Sequence, residues 1–194
     1  MKSLKCASYL DELTIVNVEA NFIRGLPGFS IAGLAGATIK ESENRVKSAL
    51  LNLNFSFPAQ KIIINLSPSD LPKNGSIFDL SIALLIALQN ESLDENLFVF
   101  GGLGLDGRVK STNSLFSILL FLSQKVTRAK VLLPSKIAIK AAAIPNLEIF
   151  GVSNLSEAIE FIKNPQFTQS CKATKNNEIF ENFIKYPSLF SNKK

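Results

Sequence analysis

The sequence predicts an α+β protein in which helices pack on a mixed β-sheet. Segments with the period-two pattern of strands come first, and helical segments then alternate with further strands. Of the 194 residues, 46% are hydrophobic and 19% are charged, a composition that can bury one core of good size. Strands followed by such β/α alternation are typical of a mixed sheet covered by helices.

The first half of the chain predicts three strands, a helix and a fourth strand. Residues 3–10 and 12–24 alternate apolar and polar side chains, and the short apolar segment 29–32 lies between glycines. In residues 37–54 the apolar side chains share one helical face, which predicts an amphipathic helix. The β-branched segment KIIINLS, residues 61–67, predicts an inner strand that is covered on both faces.

The second half predicts a buried helix at residues 78–88, which are too apolar for a surface helix. Because Asp-Gly supplies the positive φ angles of tight turns, the motif LDGR predicts the turn of a hairpin over residues 97–110. Asn154 or Ser153 is expected to cap the last helix. The other predicted elements are the helices 114–126, 135–144 and 155–164 and the strands 130–134 and 147–152.

Residues 1–164 are predicted to form one domain, and residues 165–194 a linker or tail. The tail loses the apolar density and the periodicity of the domain. It holds five lysines against two glutamates, whereas the first 164 residues carry 16 basic and 14 acidic side chains. Most of the formal charge of +5 therefore lies in the tail, and it supports nucleic-acid binding by the domain only weakly.

Composition excludes several kinds of site. The chain has no histidine, which removes Ser-His and Cys-His arrangements and the commonest zinc ligand. Its two cysteines, Cys6 and Cys171, make neither a disulfide framework nor a metal cluster. The sequence contains no G-x-x-x-x-G-K-[ST] phosphate loop. We therefore predict no bound cofactor or metal.

The chain is predicted to be soluble and cytoplasmic. No apolar segment reaches the roughly 18 to 20 residues that a membrane span needs. The N-terminal residues also meet acidic side chains too early for a signal peptide.

The residue types of a functional site occur in the loop at residues 67–77, SPSDLPKNGSI, between the fourth strand and the buried helix. Ser67, Ser69 or Ser76 could serve as a nucleophile there, Asp70 or Asp79 as an acid or base, and Lys73 as a base or a phosphate ligand. The prolines and Gly75 could equally form a rigid connection whose polar side chains bond their own backbone. Both interpretations stay open on the residues alone.

Basic residues could line a groove for nucleic acid, or they could pair with acids of a partner subunit. They are interleaved with acidic residues along the chain, so a solvated face of mixed charge is a further interpretation. The residues concerned are Lys40, Arg45, Lys47, Lys61, Lys73, Arg108 and Lys110.

An ordered set of motifs resembles the N-terminal domain of the ComM/YifB family of bacterial magnesium-chelatase-like AAA+ proteins. The motifs are GLPGF, KES, RVKSAL, NLSPSDLPK, FDL, DGRV and KVLLP, and the resemblance covers residues 3–162. It implies a domain that looks like the Lon protease domain, a fold shared with a domain of a small-subunit ribosomal protein.

Full-length members of the family continue into an AAA+ ATPase module. The resemblance implies hexameric branch-migration motors that act in DNA processing during natural transformation. Since this chain stops where that module should begin, we expect an isolated domain or a truncated product without ATPase activity of its own.

The resemblance also implies that the Ser-Lys dyad of Lon-type proteases is missing. Placing KNGSIFD on the K-D-G-P-S-A-G pattern of those enzymes puts Ile77 at the nucleophile position and Ser76 one residue early. Placing GRVKSTNSLF on the pattern around their lysine puts Phe116 at its position, six residues after Lys110. We therefore predict no catalytic residues and no enzymatic activity.

The function predicted from the sequence is that of a noncatalytic N-terminal module that contacts sibling subunits, an AAA+ ring or DNA. The interaction surface is predicted on the helix 37–54 and the loop 67–77. Contacts with phosphate or partner carboxylates are assigned to Lys40, Arg45, Lys73 and Arg108. Two alternatives stay open: a divergent Ser-Lys hydrolase that uses Ser76 with Lys73 or Lys110, and a stand-alone nucleic-acid-binding module.

Overall fold

The protein has an α+β fold with one mixed sheet. The computed structural model describes residues 2–9, 12–32, 39, 41–70, 73 and 75–174. Within these residues there are nine strands and six helices, and seven of the strands form the main sheet. The predicted class, an α+β fold with helices packed on a mixed sheet, is confirmed.

The main sheet joins an antiparallel part to a parallel part. Its strands are β1 (Lys2–Tyr9), β2 (Leu13–Ile23), β3 (Gly28–Ala32), β4 (Lys61–Ser67), β5 (Phe98–Val99), β8 (Ala129–Pro134) and β9 (Leu147–Val152). Their order across the sheet is β3-β4-β2-β1-β5-β8-β9. β2 is antiparallel to both β1 and β4. The pairs β3/β4, β1/β5, β5/β8 and β8/β9 are parallel.

Helix α2 lies in the centre of the core. The helices are α1 (Ser42–Asn52), α2 (Asp79–Ala87), α3 (Leu115–Lys125), α4 (Ser135–Ala141), α5 (Leu155–Lys163) and α6 (Pro165–Ser170). Residues 79–86 of α2 are all buried, and α2 contacts β1, β2, α1 and α5. A helix whose side chains are nearly all apolar has no face suited to water, so the predicted buried helix is confirmed.

None of the helices within the described residues is both long enough and apolar enough to span a membrane.

Strand β4 is an inner strand, as predicted, but only one of its faces is in the core. Ile62, Ile64 and Leu66 are buried, whereas the alternate residues from Lys61 to Ser67 are exposed or half-buried. The prediction of two covered faces is therefore wrong. The reason is that β4 lies in the antiparallel part of the sheet, where one face can stay open to water.

The predicted hairpin at residues 97–110 is shorter than expected. Its strands are β6 (Gly102–Leu103) and β7 (Val109–Lys110), and the Gly104 amide donates to the Arg108 carbonyl at 2.9 Å to close the turn. The preceding residues, Phe98–Val99, belong to the main sheet as β5. Their side chains are buried there, and a two-stranded hairpin could not remove them from water to the same extent.

The packed part of the chain continues beyond residue 164, where the domain was predicted to end. The Asn164 side chain accepts hydrogen bonds from the amides of Gln166 and Phe167 and so caps α6. Lys172 then pairs antiparallel with Phe150 at the free edge of β9. Residues 165–174 therefore pack with the domain. The rest of the predicted linker or tail, residues 175–194, lies outside the described residues.

Candidate functional site at the start of the buried helix

Backbone hydrogen bonds hold Ile77, the last residue of the predicted loop, and the first turn of α2 against Gly101. The Gly101 amide donates to the Ile77 carbonyl at 2.9 Å, and the Leu80 amide donates to the Gly101 carbonyl at 3.0 Å. The side chains of Ile77 and Phe78 are buried. Position 77 therefore presents an apolar side chain to the core.

A buried ion pair joins α1 to α2 directly after this loop. Nε of Arg45 lies 2.7 Å from Oδ2 of Asp79, and Nη2 of Arg45 lies 3.2 Å from Oδ1. The Asp79 side chain is fully buried, and that of Arg45 is 22% exposed. The hydrogen bond to Asp79 raises the pKa of Arg45, against the lowering effect of desolvation. The guanidinium group thus compensates the buried carboxylate.

Two further donors complete the hydrogen bonding of the Asp79 carboxylate. Ser42 Oγ donates to Oδ1 at 2.5 Å, and the Leu103 amide donates to Oδ2 at 3.2 Å. A buried carboxylate needs such partners for the lone pairs that the cation does not satisfy. Since Leu103 belongs to β6, these contacts hold the β6–β7 hairpin against α1 and α2.

Two of the four residues predicted to contact a partner are used inside the chain. Arg45 holds Asp79, and Lys73 is 1% exposed as a residue and donates from Nζ to the Pro68 carbonyl. Burial lowers the pKa of Lys73, and the charge of Asp70 opposes this. Both residues thus have partners inside the chain, and their contact with an outside phosphate or carboxylate stays a prediction.

Arg108 lies on the exposed turn of the hairpin. Its side chain is 80% exposed, and its Nε lies 3.0 Å from Oδ2 of Asp106. An exposed pair of this kind contributes little to stability, so the contact of Arg108 with a partner stays a prediction. Lys40, the fourth residue, lies outside the described residues.

The predicted interaction helix and the turn that carries Arg108 do meet. Nδ2 of Asn52 donates to the Leu105 carbonyl at 2.6 Å, and Oγ of Ser48 donates to the same carbonyl at 3.3 Å. These two side chains belong to α1, and Leu105 is part of the turn. α1 and the hairpin turn therefore form one surface. Lys73 is buried and is not part of that surface.

The side chains of Ser76 and Lys110 lie on the same side of the backbone at Gly102 and Gly104. A Cβ on Gly102 would lie 2.7 Å from Oγ of Ser76, and a Cβ on Gly104 would lie 3.3 Å from Nζ of Lys110. Gly102 is paired with Lys110 in the β6–β7 ladder, and opposed residues of a ladder project to the same face. Lys73, the other base considered for Ser76, bonds the backbone of its own loop instead.

Sequence reasoning missed two features of this region. One is that Asp79, at the first turn of α2, has a buried charge that Arg45 compensates. The other is a groove between the start of α3 and one side of α4, here named the α3–α4 groove. The signal for it was a pair of lysines four residues apart, since a helix places such residues on one side. The groove is lined by Ser111, Phe116, Lys136, Ile137 and Lys140.

A metal centre is not supported by the described residues, in which no three cysteine or acidic side chains are grouped so as to hold an ion.

Comparisons with known proteins agree with this fold. Residues 18–137 match the family model described as subunit ChlI of Mg-chelatase. The competence protein ComM of Haemophilus influenzae is 32% identical over 156 residues, which are 78% of this chain and 30% of that protein. The uncharacterized protein YifB of Escherichia coli is 39% identical over 106 residues, which are 53% of this chain and 21% of that protein. An uncharacterized protein of Mycobacterium tuberculosis is 32% identical over 153 residues, 77% of this chain and 30% of its own length.

The α+β fold and the match over residues 18–137 define a domain of the magnesium-chelatase ChlI type. Within that class, the chain belongs to the ComM/YifB family. It spans 30% or less of the length of these relatives.

Proposed function

We propose that this chain is a noncatalytic N-terminal module of a ComM/YifB-type AAA+ protein and that it works by contact. Its partners are other subunits of the assembly, or DNA, in DNA processing during natural transformation. The observation that carries the proposal is the buried Ile77 at the position that matches a Lon-type nucleophile. Phe116, at the position that matches the catalytic lysine, supports it, because neither side chain can attack a carbonyl group or take up a proton.

The comparisons support the biological setting. A relative that is 32% identical to this chain is named a competence protein. The 194 residues contain no Walker phosphate loop, so we assign nucleotide hydrolysis to another part of such a protein. Within the module, we assign contacts with phosphate or partner carboxylates to Arg108 and Lys40.

A second candidate, a divergent Ser-Lys hydrolase, is favoured by the shared orientation of Ser76 and Lys110. Against it stands the packing of Ser76, whose Oγ lies 2.7 Å from the place of a Cβ on Gly102. The hydroxyl group thus lies against backbone, whereas a nucleophile needs a base within hydrogen-bonding reach and room for a substrate carbonyl. We therefore rank this candidate below the contact module.

A fluorophosphonate probe separates the two candidates. We expect the 194-residue chain to show no labelling and no peptidase activity above those of a Ser76→Ala variant. Labelling or peptide cleavage that disappears in Ser76→Ala would replace the contact module by a hydrolase.

The contact role is tested by sedimentation of the chain and by its binding to labelled DNA. We expect self-association, or DNA binding that weakens steeply with salt because counterions are released. Lys40→Glu with Arg108→Glu should weaken that binding, whereas Lys61→Glu with Lys130→Glu, an equal change of charge at two exposed lysines outside α1 and the hairpin, should weaken it less. A chain that stays monomeric and binds no DNA at low salt would contradict the proposal.

A further inference from the structure

The α3–α4 groove combines an apolar floor with a cationic rim. Phe116 and Ile137 form the floor and are half-buried, in contact with the hydrophobic core. Lys136 and Lys140 form the rim on α4, and both are exposed. Four residues separate them along the helix, so their Cβ atoms lie about 5–6 Å apart on one side of it. The groove therefore presents two ammonium groups, one helical turn apart, beside an apolar surface.

The charges of this rim are not balanced within the part of the chain that the structure describes. No carboxylate of the described residues lines the groove. The ion pairs found among the described residues involve other cations, so neither Lys136 nor Lys140 lies within 4.0 Å of a carboxylate oxygen there. Ile139, on the same helix, is 58% exposed and extends the apolar surface next to the rim.

An occupant of the groove must offer both apolar surface and negative charge. Apolar side chains would gain from contact with Phe116 and Ile137, because that contact removes both surfaces from water. Two carboxylates one helical turn apart would match the spacing of Lys136 and Lys140. An acidic amphipathic helix carries both features on one face, and such helices are commonly bound by laying their apolar side into a groove.

Nucleic acid fits this groove less well. Nucleic-acid sites need several cations along a backbone, often with arginine, whereas the described residues give this groove two lysines and no arginine. Most of its remaining lining is aliphatic or aromatic, which suits a leucine or phenylalanine side chain. The observations therefore favour a peptide.

We propose that the α3–α4 groove binds an acidic amphipathic peptide segment of another polypeptide, with two carboxylates on Lys136 and Lys140 and an apolar side chain against Phe116 and Ile137. This inference deepens the proposed function, on which it rests, by naming the chemistry of one partner. The residues that line the groove differ from those that α1 and the hairpin turn present, so the groove adds a second contact surface.

The test uses the whole 194-residue chain and a fluorescein-labelled helical peptide with two glutamates one turn apart and leucines beside them. Fluorescence anisotropy should report saturable binding. Lys136→Glu with Lys140→Glu should weaken it by about ten-fold or more. The matched control, Lys61→Glu with Lys130→Glu, makes the same change of net charge at exposed lysines that do not line the groove and should leave affinity within about two-fold.

A peptide with lysines in place of the two glutamates provides the reciprocal arm. It should not bind the wild-type chain but should bind the Lys136→Glu, Lys140→Glu variant. Circular dichroism of that variant should match the wild type, since both side chains are exposed.

Three results would overturn the proposal: no saturable binding of the glutamate peptide, an equal loss of binding in the control variant, or displacement of the peptide by single-stranded DNA whose own binding needs Lys136 and Lys140. If the chain shows no Ser76-dependent labelling and still binds no peptide, the groove proposal alone is contradicted. Ser76-dependent labelling would remove the contact module instead.

Discussion

Nε of Arg45 lies 2.7 Å from Oδ2 of Asp79, and the Asp79 side chain is completely buried. The two residues come from different helices, 34 positions apart in the chain. Asp79 begins α2 directly after the candidate loop, and its carboxylate also accepts the Leu103 amide of the hairpin. The pair therefore positions α1, the start of α2 and the β6–β7 hairpin relative to one another.

Removing the cation of this pair should destabilise the protein strongly. Arg45→Met leaves the Asp79 carboxylate buried without its charge partner, a change that typically costs about 3–5 kcal/mol. Urea unfolding followed by circular dichroism measures the loss. A free energy of unfolding within about 0.5 kcal/mol of the wild type would contradict the assigned role.

The matched control for that prediction is Glu41→Gln. Oε2 of Glu41 lies 3.6 Å from Nη1 of Arg45, and the Glu41 side chain is 69% exposed. Exposed pairs on a helix contribute about 0.3–0.5 kcal/mol, so this variant should stay close to the wild type.

Adding a side chain at Gly102, beside Ser76, should strain the β6–β7 hairpin. A Cβ on Gly102 would lie 2.7 Å from Oγ and 3.2 Å from Cβ of Ser76. We expect Gly102→Ala to cost about 1–3 kcal/mol, as overpacking does. Ser76→Gly removes both opposing atoms, so the double variant should recover most of the loss in thermal unfolding. Equal stability of the single and double variants would show that Ser76 is not the obstacle.

Glu148 should make the free energy of unfolding depend on pH in the acidic range. Its carboxylate accepts a hydrogen bond from Lys172 Nζ at 2.7 Å and lies 3.4 Å from Arg128 Nη2. The hydrogen bond from Lys172 lowers the pKa of Glu148 below its ordinary value of 4.5. The ionised Glu148 carboxylate therefore stabilises the folded state fully above pH 4.5. This stabilisation is lost as the pH falls through the lower pKa that Glu148 has in the folded state.

Glu148→Gln tests this pH dependence. Both cations are exposed, so the variant should lose at most about 1 kcal/mol at neutral pH. The difference from the wild type should shrink as the pH falls below 4.5. Unfolding curves measured across that range check it, and a difference that does not change with pH would contradict the prediction.

Asn154 should stabilise α5 as its N-cap. Its side chain accepts a hydrogen bond from the Glu157 amide at 2.9 Å. We expect Asn154→Ala to cost about 1 kcal/mol, whereas Asn154→Asp keeps an acceptor and should cost little. Denaturant midpoints of the two variants make the comparison, and similar losses in both would argue against the cap.

Most of the fold could be predicted because the elements have strong local patterns. Strand β9 was predicted with the bounds that the structure has, and the predicted α3 differs from the observed helix by one residue at each end. The hairpin could not be placed from its residues, since the same apolar run fits a hairpin strand or an inner strand of a sheet. Its assignment depends on the neighbours β1 and β8, which lie far away in the chain.

The candidate site was less predictable, because charge alone does not tell whether a side chain points outward. Lys73 and Arg108 have the same charge in the sequence, yet the first is buried and the second is 80% exposed. Burial of Lys73 depends on how its loop folds back, and no residue pattern encodes that.

Residue pattern and motif order were enough for the α+β class, the buried helix and the family, because each depends on neighbours along the chain or on residues in sequence order. Tertiary structure was needed to separate the basic residues into those held inside, such as Arg45, and those presented to solvent, such as Lys136 and Lys140. The physical reason is that desolvation and ion pairing depend on distances across the fold, between residues such as Arg45 and Asp79 that the sequence sets far apart.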